Sequence, residues 1–146
     1  MSIKTPIRCW LGLALIMAAS QALAGDALRS RYILNCAGCH GFDGSGAKDN
    51  GVPSMKGVIG HFLRLPQGRS FLVQVPGSSQ SSLTDAQLAE SLNWMVKTMA
   101  EKSMPENFVP YTEKEVTRLR NSRPENIMDL RAKIVTELKA KGYEID

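Results

Sequence analysis

The sequence has few of the side chains that usually carry acid–base or nucleophilic chemistry. Its 146 residues include two histidines and three cysteines. Once one histidine is assigned to the motif described below, only His61 titrates near neutral pH, so no convincing set of general bases and nucleophiles remains. Walker and Rossmann glycine spacings are also missing, so the loop from Gly41 to Gly51 is not predicted to hold phosphate.

The sequence also lacks a hydrophobic run long enough to cross a membrane comfortably. The apolar run Trp10 to Ala19 follows Lys4 and Arg8 and precedes Ala22-Leu23-Ala24, the small-x-small pattern that a signal peptidase cuts. We therefore expect residues 1–24 to be an export signal, cleaved after Ala24, that sends the chain to the periplasm. An uncleaved anchor is the alternative.

Cleavage changes both the charge and the cysteine count of the chain. The full sequence carries 18 Lys and Arg against 14 Asp and Glu, a net charge of +4. Without Lys4 and Arg8 the mature chain is only about +2, which gives no reason to expect nucleic-acid binding. Cys9 leaves as well, so Cys36 and Cys39 are the two cysteines of the mature chain. The charged and apolar fractions, 22% and 43%, are typical of one soluble globular domain.

The two remaining cysteines have a spacing shared by redox dithiols, half zinc sites and haem anchors. His40 follows them directly, so Cys36-Ala37-Gly38-Cys39-His40 has the C-x-x-C-H form of covalent haem attachment. On a helical turn these positions share one face, so both sulfurs and the imidazole can address one flat ring. A zinc site would need two more ligands, and a thioredoxin-like site would need a βαβ pattern, which is absent. We predict one covalent haem c with His40 on its iron.

From about Asp26 to Ser122 the chain resembles the class I c-type cytochromes. Four stretches carry the resemblance, in the order found in that family: Tyr32 one turn before Cys36, the motif with the glycine-rich loop 42–46, the segment 51–57 that is similar to G-x-P-x-L-x-G, and Met104-Pro105 leading to 111–116. The resemblance implies an all-α, cytochrome c-like domain, residues 25–122, wrapped around the haem. Residues 123–146 lie beyond it and are predicted to form an extra amphipathic C-terminal helix.

The motif leaves the second axial ligand of the iron open. Met104 is favoured because it lies in a breaker-rich loop, at a distance along the chain comparable to that of the family's methionine ligand. Met95 and Met99 fit the apolar face of a helix and are predicted to pack in the core. The alternatives to Met104 are His61 and an open or water-bound iron. A thioether would close the iron and raise its potential, whereas an open face would admit small ligands or peroxide.

The resemblance also implies two further residues of the haem pocket. Pro53 would accept, through its carbonyl, a hydrogen bond from Nδ1 of His40 and so orient the ring. A plain turn proline is the alternative. Met55 takes the position of the family's leucine, which implies a pocket wall and not a ligand. Trp94 is expected to pack against haem or core.

The predicted elements are helices, apart from one segment. Asp26 is expected to cap the first helix, and a glycine-rich loop of about thirty residues should follow it. The segment Phe71 to Val75 is strand-like in composition. Three further helices are predicted from capping boxes: Thr84 with Gln87, Thr112 with Glu115, and Ser122 with Glu125. The last helix would carry an apolar stripe and stop at Gly142; the stripe is Ile127, Leu130, Ile134 and Leu138.

These features predict an electron carrier, or the cytochrome subunit of an oxidoreductase complex, and not an enzyme by itself. Its partners would be a dehydrogenase or an oxidase, with membrane contact only through such a partner. A haem protein with an open distal site is the alternative, although the second C-x-x-C-H of dihaem peroxidases is missing. A structural role in a periplasmic complex, using the basic C-terminal helix, is a third hypothesis.

Overall fold

The computed structural model describes residues 25–145, of which 62% are helical and none forms a strand. The prediction of an all-α chain is thereby confirmed. Pairing of the β-bridge type is limited, within this range, to one isolated bridge between Ala47 and Val52. The predicted export signal, residues 1–24 with Cys9, lies outside the described residues. Within residues 25–145, no helix combines the length and the apolar character needed to cross a membrane.

Eight α-helices follow one another in the described part of the chain. A helix over residues 25–35 is α1, and the others are α2 (Ala37–His40), α3 (Ile59–Phe62), α4 (Pro66–Gln74), α5 (Pro76–Ser79), α6 (Asp85–Met99), α7 (Glu113–Arg120) and α8 (Ile127–Ala140). Short 3-10 turns occupy Lys48–Asn50 and Glu101–Ser103. Proline stands in the first turn of both α4 and α5. N–H groups of a first turn have no partner within the helix, so proline costs no helical hydrogen bond there.

The starts of α6 and α7 are the predicted ones. The Thr84 hydroxyl accepts a hydrogen bond from the Gln87 N–H (3.2 Å), and the Gln87 amide oxygen accepts one from the Thr84 N–H (3.0 Å). This is a complete capping box. At α7 the Thr112 hydroxyl accepts from the Glu115 N–H (3.3 Å). In both helices a side-chain oxygen accepts a hydrogen bond from a first-turn N–H group that has no carbonyl partner within the helix.

Two predicted caps are wrong. The last helix begins at Ile127, and its cap is Asn126, whose side-chain oxygen accepts from the N–H groups of Met128 and Asp129 (both 3.1 Å). Ser122 cannot cap α8, because that helix begins only at Ile127; its hydroxyl donates to the Arg118 carbonyl (3.2 Å) at the end of α7. Asp26 does not precede α1 but lies within it.

The strand-like interpretation of Phe71 to Val75 is also wrong, because residues 66–74 form α4. Two separate apolar clusters lie against this helix. Val73 is fully buried in the first cluster, whereas Phe71 is buried in the second. A helix that is apolar on two sides loses the one-sided pattern by which an amphipathic helix is recognised. The expected thirty-residue loop is shortened accordingly, because α3 and α4 lie in its second half.

The first cluster joins α1, α6 and α7 and defines the core around the motif. Its buried members include Tyr32 on α1, Leu92 and Val96 on α6, and Val116 on α7. Met95 and Met99 are both 4% exposed in this cluster, so their predicted core role is confirmed. The motif residue Cys36 packs on the edge of the same cluster.

The second cluster attaches the C-terminal helix to the rest of the fold. Ile134 and Leu138 on α8 are fully buried against Phe62, Leu65 and Phe71, and the remaining stripe residues, Ile127 and Leu130, pack on its edge. The helix ends at Ala140, and Gly142 follows in a left-handed conformation (φ 86°) that favours glycine. The predicted apolar stripe therefore faces α3 and α4.

Candidate functional site

The C-x-x-C-H segment forms a single helical turn between α1 and the glycine-rich loop. α1 is interrupted at Cys36, whose carbonyl accepts hydrogen bonds from the N–H groups of Cys39 (3.2 Å) and His40 (3.0 Å). The turn ends at Gly41, which adopts a positive φ of 75°. The cysteine sulfurs and the imidazole therefore project from one turn of backbone.

The three side chains of this turn differ in exposure. Cys39 is exposed, Cys36 and His40 are half-buried, and both cysteines are free thiols. Burial raises the pKa of Cys36, and the neighbouring Cys39 raises it further. Burial lowers the pKa of His40, which favours the neutral imidazole. The His40 Nδ1 is buried and has no hydrogen-bond partner.

The loop after the motif is tied back to α1 and to the motif itself. The Tyr32 hydroxyl donates to the Gly41 carbonyl (2.6 Å), and the Gly46 N–H donates to the His40 carbonyl (2.9 Å). Tyr32 is fully buried, and this burial raises its pKa to about 12. Its ring centroid also lies 5.5 Å from that of Trp94, so Trp94 packs on the tyrosine that is hydrogen-bonded to the start of the loop.

Pro53 lies against the loop and is not bonded to the motif histidine. A Cβ on Gly46 would sit 2.6 Å from the Pro53 carbonyl oxygen, so only glycine lets these two backbone segments approach. The hydrogen bond that the resemblance implies, from the His40 Nδ1 to this carbonyl, is not made in the structure.

The structure separates the two predicted candidates for the second iron ligand. Met104 and Met55 are half-buried and pack on the same cluster as Cys36. The His61 ring on α3 has its centroid 4.8 Å from that of Tyr143 near the C-terminus. Burial lowers the pKa of His61, and the nearby Arg64 lowers it further. Met104 thus packs on the apolar cluster that also contacts Cys36, and the His61 ring contacts Tyr143.

Several residues that hold the Met104 segment were not identified from the sequence. Ser103 is 1% exposed, and its hydroxyl accepts a hydrogen bond from the Gly60 N–H of α3. Asn93 accepts one from the Tyr111 N–H, and Arg69 donates one to the Val109 carbonyl. Serine, asparagine and arginine are common surface residues, and their partners lie far away in the chain. No local pattern indicates them.

The donor set of the motif fits covalent haem. Two free thiols that can attach the porphyrin and a half-buried imidazole that can bind its iron lie on one helical turn. Within residues 25–145 no group of three or more His, Cys, Asp or Glu side chains converges as a metal-ion site. No protein-family model, curated protein or solved structure matches the chain.

Proposed function

We propose that this chain is a monohaem c-type cytochrome that passes single electrons between a redox enzyme and an acceptor in the periplasm. The observation that carries the proposal is the segment Cys36–His40, in which two free thiols and an imidazole share one helical turn. The bound haem iron would supply one-electron redox chemistry at a potential that its axial ligands and surroundings set. The residues of the chain anchor, orient and partly bury it.

Attachment needs only the two thiols. Cys36 and Cys39 would hold the porphyrin through two thioether bonds. Each bond would result from addition of a thiol S–H across one vinyl group, so that the sulfur and the hydrogen both remain in the product and no oxidant would be consumed. Cys39 is exposed and Cys36 is half-buried at the cluster edge, so the two anchors lie at the boundary between solvent and core.

His40 and Met104 would hold the haem iron. Support for Met104 over His61 comes from packing: Met104 lies on the cluster that also contacts Cys36, whereas the His61 ring lies tilted beside that of Tyr143. Met55 packs on the same cluster and is proposed as a pocket wall, and Pro53 as part of the loop beside it. A thioether ligand suits an electron carrier, because it closes the iron to small molecules.

The decisive experiment is expression of the full chain in a host that matures c-type cytochromes. We expect a red exported protein whose mass exceeds that of the mature polypeptide by one haem, and whose colour survives denaturing electrophoresis. Cys36→Ala together with Cys39→Ala should be colourless under these conditions. As a matched control, Ser91→Ala changes an equally small side chain of the core and should stay red. A colourless unmutated protein of bare polypeptide mass would contradict the proposal.

A further inference from the structure

The segment 104–110, which begins with Met104, contains no helix or strand of its own. It runs from the 3-10 turn Glu101–Ser103 to the start of α7. Its local backbone hydrogen bonds are few: the Met104 N–H donates to the Glu101 carbonyl of the preceding 3-10 turn (3.3 Å), and within the segment the Phe108 N–H donates to the Pro105 carbonyl (3.2 Å). Side chains from neighbouring helices must therefore fix the course of this segment.

Ser103 fixes the first end of the segment. Its side chain is buried, and its hydroxyl accepts from the Gly60 N–H (3.0 Å) and donates to the Ala100 carbonyl (2.6 Å). The contact with α3 is close, because a Cβ on Gly60 would lie 2.5 Å from the Ser103 carbonyl oxygen. Arg64 adds a hydrogen bond from Nη2 to that same oxygen (3.3 Å). The residue directly before Met104 is thus bound to α3.

Asn93 on α6 fixes the other end. Its side-chain oxygen accepts from the Tyr111 N–H (2.7 Å), and its side-chain nitrogen donates to the Tyr111 carbonyl (3.0 Å). Arg69 on α4 donates from Nη1 to the Val109 carbonyl (2.6 Å) and forms a two-bonded ion pair with Glu115 (2.7 and 2.8 Å). The buried Tyr111 closes this anchor by donating from its hydroxyl to the Arg69 carbonyl (2.8 Å).

We propose that Ser103 and Asn93 are positioning residues for Met104. Because they tie both ends of the segment to α3 and α6, the segment is ordered before any ligand bond forms. A segment that is already ordered loses less conformational entropy than a free loop when the iron–sulfur bond forms. The inference rests on the proposed function, with Met104 as the second axial ligand, and adds which residues keep the thioether in place.

The test compares two buried serines in the mature, haem-loaded protein. Ser103 and Ser91 are both 1% exposed, but the Ser91 hydroxyl bonds only the Gln87 carbonyl of its own helix (2.8 Å). Ferric protein is titrated with imidazole, which competes with a methionine for the iron. Ser103→Ala removes both bonds of the hydroxyl, and the loss of its bond to the Gly60 N–H of α3 should raise the affinity for imidazole about tenfold. Ser91→Ala should change that affinity by less than about twofold.

Asn93→Ala provides a second, independent arm in case Ser103→Ala does not fold. Its matched control is Asn121→Ala, whose side chain donates only to the Thr117 carbonyl of its own helix (2.9 Å). Asn93→Ala should bind imidazole about tenfold more tightly and lower the reduction potential, because methionine ligation is weakened. The Asn121 variant should match the unmutated protein in both measurements.

The outcomes separate this inference from the function on which it rests. One outcome is a red protein that shows the weak long-wavelength band of iron–sulfur ligation while Ser103→Ala and Asn93→Ala bind imidazole as their controls do. That result would overturn this inference and leave the proposed function standing. Red protein without that band would overturn it as well, since Met104 would not be the ligand, and would leave covalent attachment standing. Protein without haem would overturn both proposals.

Discussion

Ile134 lies fully buried in the contact between α8 and the rest of the fold, together with Leu138 and Phe71. Replacing it by alanine removes about three methylene equivalents, each worth about 0.8 kcal/mol when buried. The transfer loss is therefore about 2.5 kcal/mol, and the cavity left behind raises the total toward about 4 kcal/mol. That is a large fraction of the stability of about 5–15 kcal/mol that a single domain has.

The assay is equilibrium unfolding of the haem-loaded mature protein in urea, followed by circular dichroism. Met128→Ala is the control on the same helix, because Met128 is 65% exposed and its loss should change the free energy of unfolding by less than about 0.5 kcal/mol. The visible spectrum of Ile134→Ala should remain unchanged, since Cys36 and Met104 pack on the other cluster. A loss below about 1 kcal/mol would refute the docking of α8 described above.

Two further predictions concern the iron ligand and the loss of stability at low pH. Met104→Ala should abolish the long-wavelength band of the ferric protein while His61→Ala retains it; ready binding of carbon monoxide or cyanide by the unmutated protein would instead favour an open iron. Hydrogen bonding by the Thr117 hydroxyl, together with Arg120, lowers the pKa of Asp85 below its usual 3.8. The ionised Asp85 therefore stabilises the fold above pH 3.8, and this stabilisation is lost as the pH falls through the lowered pKa. In Asp85→Asn the free energy of unfolding, measured against pH, should fall less steeply on the acid side.

Local patterns predicted the parts of the fold that local physics decides. The Thr84 and Thr112 caps form because the hydroxyl and its backbone partner are three residues apart. The turn at Cys36 also depends on neighbours in the chain, so the relation of the two thiols and His40 follows from their spacing. The capping pattern at Ser122 failed because α8 begins only at Ile127, where Asn126 supplies the cap.

The segment Phe71 to Val75 shows where such patterns fail. Its β-branched and aromatic residues favour a strand when taken alone. In the fold, Val73 enters one apolar cluster and Phe71 the other, so burial on two sides outweighs the local preference and α4 forms. The position of His61 could not be predicted either, because its neighbour Tyr143 lies at the far end of the chain.

The sequence by itself determined the chemistry of the motif and the helical class, because both arise from residues a few positions apart. Tertiary structure alone decided that Met104 packs on the cluster that contacts Cys36, that the His61 ring lies beside Tyr143, and that α8 closes a second cluster. It also decided that Ser103 and Asn93 hold the Met104 segment. These contacts join residues that are distant in the chain, and only the packing of the helices brings them together.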